Sequence, residues 1–320
     1  MKLLVLGAGA VGGYFGGRLA QAGGDVTFLV RPKRAGQLAR DGLRITSQFG
    51  DARLQVKCVT PEQVRAEYEV VIFTAKAYDL ASALDAVVPA VGARGCVLPL
   101  LNGMAHLQAL DARFGRERVL GGVAYIAATL APDGGIRHLN DFHRIWFGPR
   151  LPSQRPVCEA LAAQFAKVQF EWKLADAIEQ AMWDKWVLLA TLAGMTCLMR
   201  AAVGDIAATG SGERLTVALL AECAAAAKAE GFATPEPALA NYRSMLTRKG
   251  SDFSASMLRD IEAGGPTEGD HILGGLLALG RKRGLATPLL EMAATHLEAY
   301  AARRRRESTA NESCISNVLY

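Results

Sequence analysis

The sequence predicts an α/β protein in two parts, a doubly wound parallel sheet followed by an all-helical half. Three observations predict it. The chain opens with an apolar strand-like run, turns through glycines, continues at helical spacing and returns to strand-like residues, which makes a βαβ unit with a right-handed crossover. Strand-like and helix-like runs then alternate, the last of these strand-like runs ending at residue 101. From about Ala175 to Ala302 the strand signals stop and helical periodicity takes over.

The first strand is read from KLLVLGAG, the helix from VGGYFGGRLAQA, closed by Gly23-Gly24, and the second strand from DVTFLV. Further strands are expected at YEVVIFTA and GCVLPLL. VLGGVAYIAATLA, IRHLN and HRIWFGP read as short strands separated by turn residues such as Pro132-Asp133-Gly134-Gly135, and are expected to extend the sheet as a meander. The domains are placed at residues 1–172 and 173–302, with 303–320 as a disordered tail whose Arg303–Arg306 run is a solvated terminus.

The chain has 320 residues, is 51% apolar and carries a formal charge of +5. That suits an anionic small ligand and falls short of a nucleic-acid-binding face. Six scattered cysteines without CxxC spacing argue for reduced thiols in a cytoplasmic protein, and neither they nor the five histidines form a metal pattern. No leader peptide is read at the N-terminus. WVLLATLAGMTCLM, between Lys185 and Arg200, is too short to span a bilayer and reads as a buried helix. The alanine-rich helical half makes a homodimer plausible.

Residues 7–12, Gly7-Ala8-Gly9-Ala10-Val11-Gly12, match GxGxxG in the context that gives the pattern meaning: a strand before, a helix after and a second strand closing the unit. Gly7 permits the tight turn, Gly9 lets backbone approach a pyrophosphate, and Gly12 permits close helix–strand packing. The helix N-terminus adds N–H groups and partial positive charge. This is a Rossmann-type dinucleotide cradle. After the second strand stands FLVRPKR, with Arg31, Lys33 and Arg34 and no acid for a ribose 2′-hydroxyl. A guanidinium there suits a 2′-phosphate, so NADP is the expected cofactor.

With TAKAYD around Lys76, LNGM around Asn102, WDKW around Lys185 and SMLRDIEAGGPTEGD over residues 256–270, the chain resembles the ketopantoate reductase (2-dehydropantoate 2-reductase) family to about residue 300. The resemblance implies NADPH-dependent reduction of a 2-oxo acid to a 2-hydroxy acid, ketopantoate to pantoate in pantothenate biosynthesis, in a cleft between a Rossmann domain and a helical domain. It implies that Lys185 is the general acid and that Glu268 contacts the cofactor or the reacting group. Lys76 and Asn102 would border the nicotinamide and its ribose, with Asn102 also near the substrate. Ala128 would touch the cofactor through its backbone, and Ser256 would hydrogen-bond the substrate.

The residues themselves leave alternatives open. A lysine in an apolar helix between Trp183 and Trp186 can be a desolvated proton donor or can snorkel to the surface. Lys76 and Asn102 follow strands, where open α/β sheets bind ligands and where ordinary loop residues also sit. Glu268 can equally favour a helix N-terminus. Where the family carries asparagines for its hydroxylated acid, this chain has Leu189, Ala193, Val203 and Phe253, so a more apolar 2-oxo acid, or an imine, is the alternative substrate. Arg200 either binds the substrate carboxylate or serves as a helix C-terminal cation. A non-catalytic NADP-binding sensor is the reading from another class, and it gives Lys185 and Glu268 no task.

Overall fold

The computed structural model describes residues 1–318, with side chains described through residue 309. Two compact units emerge, Met1–Met182 and Trp183–Tyr320. The first begins with β1 (Lys2–Leu6), α1 (Ala10–Gln21) and β2 (Asp25–Leu29). Next come α2 (Pro32–Asp41), β3 (Leu43–Thr46), β4 (Ala52–Leu54) and β5 (Lys57–Val59). β6 (Val70–Phe73), α3 (Leu80–Val91), β7 (Cys96–Pro99) and α4 (Ala105–Phe114) follow. Five strands make one all-parallel sheet in the order β5-β2-β1-β6-β7. The winding direction therefore reverses between β1 and β6, the place where such sheets bind ligands at their carboxyl ends.

Both faces of this sheet are covered, which is why its strands read as unbroken apolar runs. Successive residues of β1 enter opposite cores. Leu3 and Val5 join Phe15 and Leu19 of α1, whereas Leu4 and Leu6 join Val87 of α3 and Leu110 of α4.

The expected meander touches this sheet only through an isolated parallel bridge between Val119 and Val97 of β7 and adds no strand to it. β8 (Gly121–Tyr125), β9 (Ala128–Leu130), β10 (Ile136–His138), β11 (Arg144–Gly148), α5 (Arg155–Phe165) and β12 (Glu171–Leu174) instead complete two further sheets. One has the order β4-β3-β10-β9 and the other β12-β11-β8. The reason lies in α1, whose outer flank would otherwise be bare. Its glycines admit side chains of the second sheet so closely that a Cβ at Gly17 would stand 2.8 Å from Leu43 and Ile45.

The second unit is helical: α6 (Ile178–Met199), which begins in the first unit, then α7 (Val203–Ala207), α8 (Gly212–Ala229) and α9 (Glu236–Leu246). α10 (Ser256–Glu262), α11 (Gly275–Lys282) and α12 (Pro288–Val318) complete it, with one π-helical turn at Asp270–Gly274 leading into α11. Two expected boundaries move. The division falls at 182/183 rather than 172/173, because β12 pairs with β11 and Ala175, Ile178 and Met182 belong to the first core. The segment expected to be a disordered tail is helical as far as Val318, and residues 319–320 lie outside the described residues. The Arg303–Arg306 run and Glu307 are good helix formers, the Arg303–Glu307 pair adds to them, and Arg304 Nε donates to the Gly264 carbonyl at 2.8 Å.

A buried polar cluster ties α1 to β3, β10 and β11. Tyr14 Oη lies 2.6 Å from His143 Nδ1, and Ser47 Oγ lies 2.9 Å from His138 Nδ1. His138 Nε2 faces the Phe142 carbonyl at 3.0 Å and so carries the proton, which leaves Nδ1 to accept from Ser47. Burial, then His138 and Arg18, push the His143 pKa down to about 4. In the unfolded chain it titrates near 6.5. Acid thus protonates the unfolded form first, and the stability that neutral His143 contributes at pH 7 is lost as pH falls from about 6.5 toward 4. Urea unfolding at pH 7.5 and 5 is expected to show a loss on the order of 1 kcal/mol that His143→Gln removes. An unchanged pH slope in the variant would acquit this histidine.

Candidate active site

The first group of candidate residues lies at the carboxyl ends of the parallel strands. β1 ends at Leu6, and Gly7 turns the chain at φ +91°, a region that disfavours side chains. Gly7 N–H donates to the Leu29 carbonyl at 2.9 Å, and Thr74 Oγ1 donates to the Leu6 carbonyl at 2.7 Å, so the turn is pinned to both neighbouring strands. Ala8 is buried. Ala10, Val11 and Gly12 form the first turn of α1, whose N–H groups have no partner within the helix by geometry and which contains no acid. A Cβ on Gly12 would collide with Thr74 Oγ1 and the Gly7 carbonyl. Gly9 differs, having extended backbone at φ −85° and nothing within 4 Å of a Cβ built there. The fold needs Gly7 and Gly12. It makes no such demand of Gly9, which leaves room beside a helix N-terminus for an anionic group.

Arg31 caps α2 with its side chain 76% exposed, and Nη2 lies 3.3 Å from Asp79 Oδ2. Arg34 is used differently. Its Nε and Nη2 donate to the Ala8 carbonyl at 3.2 and 2.9 Å, and Nη1 donates to the Gly134 carbonyl at 3.0 Å. It braces the glycine turn from behind. Lys76, half-buried, follows β6 and caps a short turn that ends at Asp79, while half-buried Asn102 follows β7. Ala128 opens β9, which packs on α1, and its neighbour Ala127 is held by Asn140 Oδ1, which accepts from its N–H at 2.6 Å.

The second group belongs to the helical unit. Lys185 on α6 is 8% exposed and Glu268, just before the π-turn, 6%. Burial pushes the Lys185 pKa down to about 8, and the Glu268 carboxylate acts against that by favouring the charged form. The ammonium does not snorkel. Leu189, one turn on along the same helix face, is half-buried, and Ala193, a further turn on, is buried. Val203 N–H donates to the Phe253 carbonyl at 2.9 Å, which joins those two apolar residues. Ser256 is exposed in the first turn of α10. Arg200 is exposed and left-handed at φ 53°, with Ala201 N–H donating back to the Thr196 carbonyl. It ends α6, and fifteen residues of helix set it about 22 Å along the axis from Lys185. That distance favours the helix-end cation over a partner for a small acid held at Lys185. Among the described residues no cluster of three or more His, Cys, Asp or Glu could hold a metal ion, and no helix is long and apolar enough to cross a membrane.

The family model described as "Ketopantoate reductase PanE/ApbA" matches residues 3–151, and its C-terminal partner model matches residues 177–301. The chain belongs to the ketopantoate reductase family. Within it, the chain is 38% identical over 306 residues to an uncharacterized oxidoreductase, YkpB, of Bacillus subtilis (strain 168), covering 95% of this chain and all of the relative. The crystal structure of 2-dehydropantoate 2-reductase from Geobacter metallireducens GS-15 superposes with a TM-score of 0.85 at 31% identity, covering 93% of this chain and 99% of the other. D-mandelate dehydrogenase in a ternary structure with NADH and anilino(oxo)acetate shares the fold, with a TM-score of 0.86 at 21% identity over 95% of this chain and 100% of the other.

This ketopantoate reductase family member is thus an oxidoreductase-family protein with a nicotinamide cofactor implied, and its glycine turn fits such a group through the space at Gly9 and the acid-free start of α1. Sequence reasoning missed the bracing role of Arg34, the Asp79 partner of Arg31 and the Asn140 support of Ala127. Each is a tertiary contact with no local signal. Gly9→Ala is expected to leave the melting temperature within about 2 °C of wild type while weakening NAD(P)H binding at least about tenfold. Gly12→Ala is expected to cost about 1–3 kcal/mol of stability as well. Fluorescence titration of the reduced cofactor beside calorimetry checks both, and a Gly9 variant that binds normally would mean no phosphate approaches there.

Proposed function

We propose that this protein reduces the ketone of a 2-oxo acid to a 2-hydroxy acid with NADPH, with Lys185 as the general acid. One observation carries the reading: a buried ammonium poised at about 8 with a buried carboxylate acting on it. Bound nicotinamide supplies the hydride for the carbonyl carbon. Lys185 Nζ supplies the proton that the developing alkoxide oxygen requires. Loss of that proton leaves a neutral amine, which dry surroundings favour, so desolvation helps the transfer. Glu268 acts beforehand, keeping Lys185 protonated at neutral pH despite its burial. A binding protein without turnover has no use for such a pair.

The turn of residues 7–12 would hold the pyrophosphate, and Arg31, exposed after β2, would pair with a 2′-phosphate. Lys76, Asn102 and the Ala128 backbone would border the nicotinamide and its ribose. Ketopantoate to pantoate is the reaction the family name gives. A second reading, a more apolar 2-oxo acid or imine, is favoured by Leu189 and Ala193 on the Lys185 face of α6 and by the joined Val203 and Phe253. These side chains offer a substrate hydroxyl no hydrogen bond and suit an aliphatic or aromatic chain. The protein would act in the cytoplasm.

An NADPH-oxidation panel of ketopantoate beside branched and aromatic 2-oxo acids and their imines tests the reaction and ranks the substrates, and oxidation by none would end the enzyme assignment. Lys185→Ala is expected to lower kcat/KM by roughly 10²–10⁴-fold with cofactor affinity little changed. Because the acid must be protonated, the wild-type rate should decline above pH about 8. Arg31→Ala should weaken NADPH at least about tenfold and NADH little, and equal weakening would show that it does not read the 2′-phosphate.

A further inference from the structure

Trp186, next to Lys185 and almost wholly buried on α6, has a task that the reaction above does not assign. Its indole Nε1–H donates to the carbonyl of Ile272 at 2.8 Å. Ile272 lies inside the π-helical turn Asp270–Gly274, which begins two residues after Glu268. The turn is closed by Gly275 N–H donating to the Asp270 carbonyl, the wide i→i+5 pattern, while Ile272 N–H donates to the Glu268 carbonyl itself at 2.9 Å. π-turns are rare and concentrate at functional sites, and a side-chain donor on the carbonyl ladder is one of the devices that distorts a helix.

Packing holds the same segment from two sides. A Cβ at Gly269 would stand 2.8 Å from Leu297 of α12, and one at Gly275 would stand 3.3 Å from the Trp186 ring. The stretch 268–275 is therefore seated between α12 and the indole, with Glu268 at its leading edge. The path from Trp186 to the Glu268 backbone is short: Trp186 Nε1–H donates to the Ile272 carbonyl, and Ile272 N–H donates to the Glu268 main-chain carbonyl, which sets the backbone from which the carboxylate projects. Asp184, the neighbouring acid on α6, bears on Tyr242, whose pKa burial and then Asp184 push up to about 12. Glu268 is the charge that bears on Lys185.

We propose that Trp186 is a positioning residue whose indole N–H, by holding the Ile272 carbonyl, fixes the Glu268 carboxylate in register with the Lys185 ammonium. The catalytic meaning of this contact rests on the function proposed above, but the contact can be tested without turnover. The full-length protein, labelled at lysine Cε with ¹³C, is titrated by NMR, with Lys185 assigned from the signal that Lys185→Arg removes. Trp186→Phe keeps the ring and deletes the donor. It is expected to lower the Lys185 titration midpoint by about half a pH unit or more, since a displaced Glu268 no longer supports the charge. Glu268→Gln should do the same, and the double variant Trp186→Phe/Glu268→Gln should fall no further than Glu268→Gln alone.

Gly275→Ala, which crowds the ring from the other side, is the second probe if Trp186→Phe does not fold, and should shift Lys185 in the same direction. In activity, the alkaline decline of kcat/KM should move to lower pH by the same amount. A Trp186→Phe protein that melts earlier but titrates Lys185 as wild type does would overturn the proposal, as would additive shifts in the double variant. Failure of every 2-oxo acid to oxidise NADPH would sink the proposed function and leave the NMR result standing.

Discussion

An ammonium buried in an apolar helix is the constraint around which the helical unit is organised. An isolated charge in such surroundings costs several kcal/mol, and a protein answers by pairing it, neutralising it or letting it reach water. Lys185 is denied water by its burial, which pushes its pKa down to about 8 and leaves it mostly protonated at neutral pH. Glu268, itself buried, supplies compensation. The Glu268 carboxylate thereby favours the charged form of Lys185 against its burial. The close contacts around them serve that end: Gly269 admits Leu297, and Gly275 admits the Trp186 ring. Small residues at these points let neighbouring elements approach closely.

The first unit obeys a different constraint, the closeness of α1 to the strands on either side of it. Gly12 meets Thr74 and the Gly7 carbonyl, Gly16 meets Phe28 and Val5, and Gly17 meets the second sheet. The helix is thereby drawn down until its first turn lies over the reversal of the sheet. A glycine-rich sequence there mixes two demands that only geometry separates. Most of the glycines are packing necessities, which would exist in a protein with no ligand at all. Gly9 alone among those of the motif would meet nothing within 4 Å of an added Cβ, so packing does not account for its being glycine.

Legibility in the sequence followed burial. β1, β2, β6 and β7 were readable because a strand covered on both faces shows a continuous apolar run. β3, β4 and β5, three or four residues each with mixed exposure, carry no such run, so neither the second sheet that β3 and β4 help to build nor the β5 edge of the first could be read from short strands alone. The site was legible in kind and incomplete in detail. Lys185 stands out as a cation in an apolar helix, yet snorkelling and burial look alike until the neighbours are placed. Glu268 acts on it across eighty-three positions of chain, a relation that no local pattern encodes. The π-turn is equally silent, since DHILGG reads as an ordinary helix start. The arginine run near the C-terminus read as a frayed end because charge was weighed and helix propensity was not.

The basic cluster after β2 shows how geometry divides residues that composition treats alike. Arg34 spends Nε, Nη1 and Nη2 on main-chain carbonyls and the Gln37 side chain, and burial lowers its pKa. A guanidinium so occupied holds the turn in shape and has little left for a ligand. Arg31 is largely exposed and meets one carboxylate, Asp79, in a surface pair of the kind worth at most about 1 kcal/mol. Such a pair is weak enough for a doubly charged phosphate to displace. The same Asp79 would be left near any ribose bound there, and a carboxylate is the group that accepts from a 2′-hydroxyl. On the proposed function, the balance between the phosphorylated and unphosphorylated cofactor would turn on which partner Arg31 takes.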